Sequence, residues 1–162
     1  MTVVKEACVD NIQDAINAFK KGADRIEFCS NLDEDGLTPS NYDLISLKKS
    51  ISIPVRVMVR PHSNSFNYND DDLIQMKETI EFCKNQKFDG VVFGCLDDDN
   101  ELDLNKIKYL ADFAKPLNVI IHKAIDLTSS PLNSLKKLLE INNVNGILSS
   151  GGCETAELGT EV

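Results

Sequence analysis

Five cysteines occur in this chain of 162 residues, and two of them close the first two predicted strands. Cys8 ends the first apolar run and Cys29 ends the second. If these runs pair side by side, their thiols lie on neighbouring strands about 4.8 Å apart. Thiolates are soft ligands, and two of them can hold a soft metal ion in a near-linear site. The alternative is that both thiols only pack, because free cysteine often behaves as a small buried hydrophobe.

A second group of polar residues lies in or just after the predicted strands. Glu27 and His122 have the side chains needed for acid–base chemistry, and arginines in the group could bind an anion. The same charges could instead form ion pairs that fill the interior of the fold. Ser149 and Gly151 belong to a turn that could offer backbone N–H groups to an anion or could be an ordinary connection. The other members of the predicted pocket are Glu6, Arg25, Arg60 and Asp126.

The other cysteines and one histidine carry weaker predictions. Cys83 lies within a predicted helix and is expected in the core, whereas Cys153 lies in a terminal loop. Cys95 ends the fourth apolar run, and strand alternation does not decide which way it points. His62 lies in a polar loop, where we expect a surface position, although a role as an accessory metal ligand is also open.

The elements that must position these residues alternate along the chain. Short, β-branched apolar runs are typical of buried parallel strands, and amphipathic segments follow them. Such alternation predicts an α/β fold with right-handed crossovers. The apolar runs cover residues 3–8, 24–29, 54–60, 90–96, 119–124 and 146–149. The helices are predicted to begin near Asp10, after Ser40, at Asp70, near Asp103 and at Ser130.

Strand alternation separates apolar from polar side chains. Ile26 and Phe28 share one face of the second strand, whereas Glu27 and Cys29 share the other. An open doubly wound sheet would bury such polar faces against helices at high cost. In a barrel the polar faces converge on the interior, near the C-terminal mouth. No glycine-rich nucleotide motif follows a strand. We therefore predict a TIM-type (β/α) barrel with about six βα units in one domain, residues 1–162.

Composition excludes several classes of function. The formal net charge is −9, which makes nucleic-acid binding unfavourable because phosphate contacts need a basic face. No apolar run reaches the length of a membrane span. The N-terminus has no signal-peptide pattern, so we expect a cytoplasmic protein. The odd cysteine count without a CxxC pair predicts free thiols in a reducing compartment.

Several short motifs occur in the order found in one family. They are Glu6-Ala-Cys8, GADRIEFC at 22–29, GLTPS at 36–40, Ile53-Pro54, Arg60-Pro61, DGVVFG at 89–94, HKAID at 122–126 and SSGG at 149–152. Together they resemble the CutC copper homeostasis family from residue 4 to about residue 158. This resemblance implies a TIM-type barrel, a cytoplasmic location and a role in copper tolerance or distribution. It also implies copper(I) binding, with Cys8 and Cys29 at the positions of the proposed ligands and no firmly assigned reaction.

The chain also departs from the family pattern. A loop that usually carries an arginine reads HSNSF at 62–66, Lys123 stands in place of another arginine, and Asp35 replaces a glycine. Two of these changes remove an arginine from the expected mouth, which predicts weaker binding of an anionic ligand.

Length is the largest departure from the family. Family members continue for two more strands, and a closed barrel needs eight. We therefore expect either a truncated product or a partner chain that covers the gap. Open strand edges would also make a homo-oligomer possible.

Three functions stay open at this point. The first is a copper(I)-binding homeostasis protein, with copper as its bound ion. The second is a barrel enzyme that acts on a small anionic metabolite, with Glu27 and His122 in acid–base roles. The third is an inactive remnant of either.

Overall fold

The computed structural model describes residues 3–160, in which six parallel strands alternate with five α-helices. The strands are β1 (Glu6–Val9), β2 (Arg25–Phe28), β3 (Val55–Met58), β4 (Gly90–Phe93), β5 (Asn118–Ile121) and β6 (Gly146–Ile147). The helices are α1 (Ile12–Lys20), α2 (Asn41–Ser50), α3 (Asp70–Asn85), α4 (Leu104–Ala114) and α5 (Pro131–Leu138). Short 3-10 helices cover Leu32–Glu34 and Lys123–Leu127. The first two and last two residues of the predicted domain lie outside the described part of the chain.

The strands pair in chain order, each parallel to the next, and form a half-barrel as predicted. Within residues 3–160, β1 and β6 are the two edges of the sheet. No helix in this range has the length and apolar character needed to cross a bilayer.

Strand alternation divides the core into two layers. Ile26, Phe28 and Val57 belong to the larger outer cluster, which packs beneath the helices. The inner face carries a small apolar cluster formed by Cys29, Met58, Val92 and Ile120. The predicted assignment of strand faces is therefore confirmed, because adjacent side chains point to opposite sides of each strand.

Polar side chains cap the helices. The Asn69 side chain and the Asp72 carboxylate exchange hydrogen bonds with each other's backbone N–H groups at the start of α3, which forms a capping box. Ser40, Asp103 and Ser130 cap α2, α4 and α5, which begin close to the predicted positions, and Ser130 was itself predicted to be a cap. The cap of α1 is Asn11 rather than Asp10, because the Asn11 side chain accepts from the Asp14 N–H.

The strands are shorter than the predicted apolar runs. Cys29, Val59 and His122 each donate one more backbone N–H to a neighbouring strand before the chain turns away. The last strand has only two residues because the segment after it turns toward Asp126. Apolar residues beyond the strand ends still pack in the core. The apolar runs are therefore longer than the hydrogen-bonded strands that they predicted.

Candidate functional site

A cavity of about 510 Å³ lies at the C-terminal ends of the strands. This end of a (β/α) barrel is where ligand sites occur. Four residues predicted from the sequence meet here, Cys8, Glu27, Arg60 and His122. The rest of the lining consists of Leu32, Asp35, Met58, Phe66, Lys123, Leu127 and Leu148.

Cys8 lies on β1, and Cys29 directly follows the adjacent strand β2. The Cys8 thiol donates a hydrogen bond to the Glu27 carboxylate at 3.5 Å, and the Cys29 thiol donates to the Val9 carbonyl oxygen at 3.6 Å. Cys8 is exposed at the cavity, whereas Cys29, just after β2, is fully buried. The Cys29 side chain, desolvation and the charge of Glu27 raise the Cys8 pKa. The Cys8 side chain lowers the Cys29 pKa. Cys29 is therefore the more acidic thiol of the two.

The donor atoms of this pair suit a soft, two-coordinate ion. Two thiolates match the preferences of copper(I), and the thioether residue Met58 packs beside Cys29 in the inner cluster. Gly36 has a φ of +83°, and a Cβ at this position would lie 3.2 Å from the Cys29 sulfur. The loop after β2 thus closes tightly over one thiol. Across residues 3–160, no group of three or more His, Cys, Asp or Glu side chains is arranged to hold a metal ion.

Glu27 is a buried carboxylic acid beside the thiols. It lies opposite Cys8 in the strand register, and the Cys8 thiol donates to its Oε1 at 3.5 Å. Desolvation raises the Glu27 pKa, the nearby charge of Glu6 raises it further, and the Cys8 hydrogen bond only partly offsets both effects. Glu27 therefore retains a proton at higher pH than an exposed glutamate does.

His122 is a neutral, buried imidazole at the end of β5. Its Nδ1 accepts a hydrogen bond from the Ala124 N–H at 3.2 Å, so its own proton resides on Nε2. Burial is the main cause that lowers its pKa, to about 3, and the Arg60 charge adds to the effect. The ring packs 4.8 Å from the Phe66 ring and covers Gly94, where a Cβ would lie 2.8 Å from two imidazole atoms. A role for His122 in acid–base catalysis stays a prediction.

Arg60 is held by the loops around it. One terminal nitrogen donates to the carbonyl oxygens of Glu34 at 2.6 Å and of Gly36 at 3.1 Å. The guanidinium also lies 4.7 Å from the centre of the Phe66 ring. Arg60 therefore ties the loop after β2 to the loop after β3, and its buried charge acts on the cavity.

The other predicted pocket residues form two separate groups. Glu6 and Arg25 pair with each other on the inner face, and Arg56 joins them with a 3.1 Å contact to Glu6. Sequence alternation had placed Arg56 on this face but had not included it among the site residues. This ion-pair network matches the structural alternative considered for these charges.

The Asp126 carboxylate organises the turn after β6. It accepts hydrogen bonds from the Ser149 hydroxyl at 2.6 Å, the Ser150 N–H at 2.8 Å and the Gly152 N–H at 2.9 Å. Ser149 and Gly151 line a different, smaller cavity of about 280 Å³. Two of the N–H groups predicted to be available to an anion are thus already paired with a carboxylate.

The remaining thiols and His62 lie away from the cavity lining. Cys83 and Cys95 are buried in the outer core, and burial raises the pKa of each to about 12. Cys153 is partly exposed. The His62 Nε2 lies 3.3 Å from an Asp72 carboxylate oxygen. Phe66 reaches the cavity from the loop after β3, and no periodic pattern in the sequence indicated that it would.

Comparison with known proteins gives one consistent result. A sequence model of the CutC family matches residues 3–162. The chain belongs to the CutC family. The copper homeostasis protein cutC homolog of Homo sapiens is 40% identical over 153 residues, which cover 94% of this chain and 55% of the human protein. A family protein CutC of Yersinia pseudotuberculosis is 39% identical over 154 residues, covering 95% of this chain and 60% of that protein.

A solved CutC structure extends this agreement to three dimensions. The crystal structure of CutC from Streptococcus agalactiae superposes with a TM-score of 0.84 at 30% identity, and covers 94% of this chain and 75% of that one. The half-barrel therefore matches part of the TIM-type barrel of a CutC protein. The chain spans between half and two thirds of the length of the curated relatives named here.

Proposed function

We propose that this protein acts in copper homeostasis in the cytoplasm and binds copper(I) through Cys8 and Cys29. The observation that carries the proposal is the placement of two thiols at the ends of adjacent strands, near enough to shift each other's pKa, at the ligand-binding end of the half-barrel. The names of the human and bacterial relatives support the copper role. All five cysteines are free thiols, which supports a reducing compartment.

Proton release accompanies the proposed binding. A metal ion binds thiolates, so the proton of Cys8 must leave when the second sulfur binds. Cys29, with its lowered pKa, provides the first ligand, and the more weakly acidic Cys8 completes the site. Copper(I) affinity should therefore rise with pH.

The test is a copper(I) competition titration against a chromophoric chelator such as bicinchoninate, under reducing and oxygen-free conditions. We expect stoichiometric uptake by the unmodified chain, and loss of that uptake in Cys8→Ser and in Cys29→Ser. Cys153→Ser is the matched control, because this thiol is partly exposed and lies outside the cavity lining. Unchanged uptake in both Cys8→Ser and Cys29→Ser would exclude the pair as the copper site.

Cooperative unfolding separates a working protein from an inactive remnant. A single folded domain should unfold in one transition, observed identically by fluorescence and circular dichroism. Three tyrosines supply the fluorescence signal, because the chain contains no tryptophan. A broad transition that differs between the two probes would favour the remnant.

A further inference from the structure

Among the described residues, the buried Nε2–H donor of His122 has no acceptor. Its Nδ1 is occupied by the Ala124 N–H, and no acceptor for Nε2–H is found within residues 3–160. The residue is only 4% exposed. Buried polar groups are normally hydrogen-bonded, so a buried donor without a partner commonly marks a site for water or a ligand. His122 also lines the 510 Å³ cavity, which has room for a small molecule.

Positive charge surrounds this donor. The Arg60 guanidinium is close enough to His122 to disfavour its protonation, and Lys123 lines the same cavity. The opposing acidic groups of the lining are Glu27 and Asp35. The Arg60 charge acts directly on His122, so the His122 side of the cavity favours an acceptor that carries negative charge.

Apolar side chains form the rest of the wall and leave hydrophobic surface open. Leu32 is 44% exposed, Leu127 is 58% exposed and Leu148 is 41% exposed, and all three line the cavity together with Met58. Exposed apolar side chains grouped around a polar pocket are typical of a ligand site. An inorganic anion would leave these side chains in water, whereas an organic ligand would cover them.

We propose that this cavity binds a small organic carboxylate with a short apolar chain. The Nε2 atom is buried, so binding needs a small shift of the packed imidazole. One carboxylate oxygen then accepts the Nε2–H bond of His122, the charge of Arg60 stabilises the anion, and the apolar chain packs against the leucines and Met58. Cys8 lines the same cavity, but neither thiol is needed to hold the carboxylate, so the proposal does not rest on the copper function.

The test is observation of the histidine side chains by ¹H–¹⁵N NMR during titration with butyrate. The chain has two histidines, so His62 is an internal control in every spectrum. We expect a saturable shift of the His122 Nε2 signal with little change at His62. Acetate, which lacks most of the apolar chain, should bind more weakly than butyrate. Absence of a shift, or equal shifts at both histidines, would overturn the proposal.

Variants separate the donor from the fold. His122→Phe removes the N–H and should weaken butyrate binding about tenfold, whereas His122→Gln keeps a donor and should retain part of it. Butyrate binding in these variants is followed by the chemical shifts of cavity methyl groups. Cys29→Ser should bind butyrate as the unmodified chain does, so failure of the copper site and of this site are distinguishable. Tighter binding of inorganic phosphate than of butyrate would overturn the assignment to carboxylates.

Discussion

Burial of neutral His122 should make the folded protein sensitive to mild acid. Its pKa is lowered to about 3 in the folded state, whereas the ordinary value of 6.5 applies in the unfolded chain. Between these values the unfolded chain binds a proton that the folded protein does not bind. The contribution of neutral His122 to stability is therefore complete above pH 6.5 and is lost as the pH falls toward 3.

The size of the effect follows from the two pKa values. One pH unit inside this window changes the free energy of unfolding by up to about 1.4 kcal/mol. Between pH 7 and pH 5 the proton linkage of a single such histidine amounts to about 2 kcal/mol. This loss is a large part of the roughly 5–15 kcal/mol that stabilises an ordinary domain.

Urea unfolding of the unmodified chain and of His122→Gln at a series of pH values measures this contribution. Glutamine does not titrate, so the stability of the unmodified chain relative to the variant should fall by about 2 kcal/mol from pH 7 to pH 5. Glu27 acts with the opposite sign, but it is present in both proteins and cancels in the difference. His62→Gln is the matched control and should retain the His122 contribution. A difference between the unmodified chain and His122→Gln that stays constant with pH would refute the reasoning.

Two further predictions concern the neighbours of the cavity. Because the Glu27 pKa is raised in the folded state, the protein loses stability as the pH rises above 4.5 through that pKa. Glu27→Gln should therefore gain stability relative to the unmodified chain over this range. A difference in urea unfolding that stays constant with pH would contradict this. Gly94→Ala should cost about 1–3 kcal/mol, because its Cβ would meet the His122 ring at 2.8 Å. Gly146→Ala is the control and should cost less in thermal unfolding, because its Cβ meets only the flexible end of Ile120, at 3.2 Å. Equal losses in the two glycine variants would contradict the packing argument.

Local patterns predicted most of the architecture. The alternation of Ile26 and Phe28 with Glu27 and Cys29 assigned the outer and inner faces of β2, because the two-residue period of a strand is a property of the backbone alone. Ser130 and the proline after it marked the start of α5 in the same way. Polar side chains share one face of the strands, which favoured a barrel over a doubly wound sheet. In the half-barrel this face is the inner one.

The candidate site was only partly readable from the sequence. Alternation placed Cys8, Glu27 and Arg60 on one face, but it could not measure how far along the barrel axis each residue lies. Arg25 points inward like Glu27 and yet belongs to an ion-pair network outside the cavity lining. Asp126 ends the motif that begins at His122, but its carboxylate binds the segment after β6 and does not line the cavity.

The sequence by itself determined which side chains face inward. It also contained the thiol pair, Cys8 and Cys29, that the family resemblance singled out. Tertiary structure decided which inward residues share one cavity and what charge state they hold. The loop after β3 brings Phe66 onto His122, and burial there keeps the imidazole neutral, with no acceptor for its Nε2–H in the part of the chain that the structure describes. Desolvation depends on every atom packed around a group, and these atoms come from segments far apart in the chain, so no local pattern contains it.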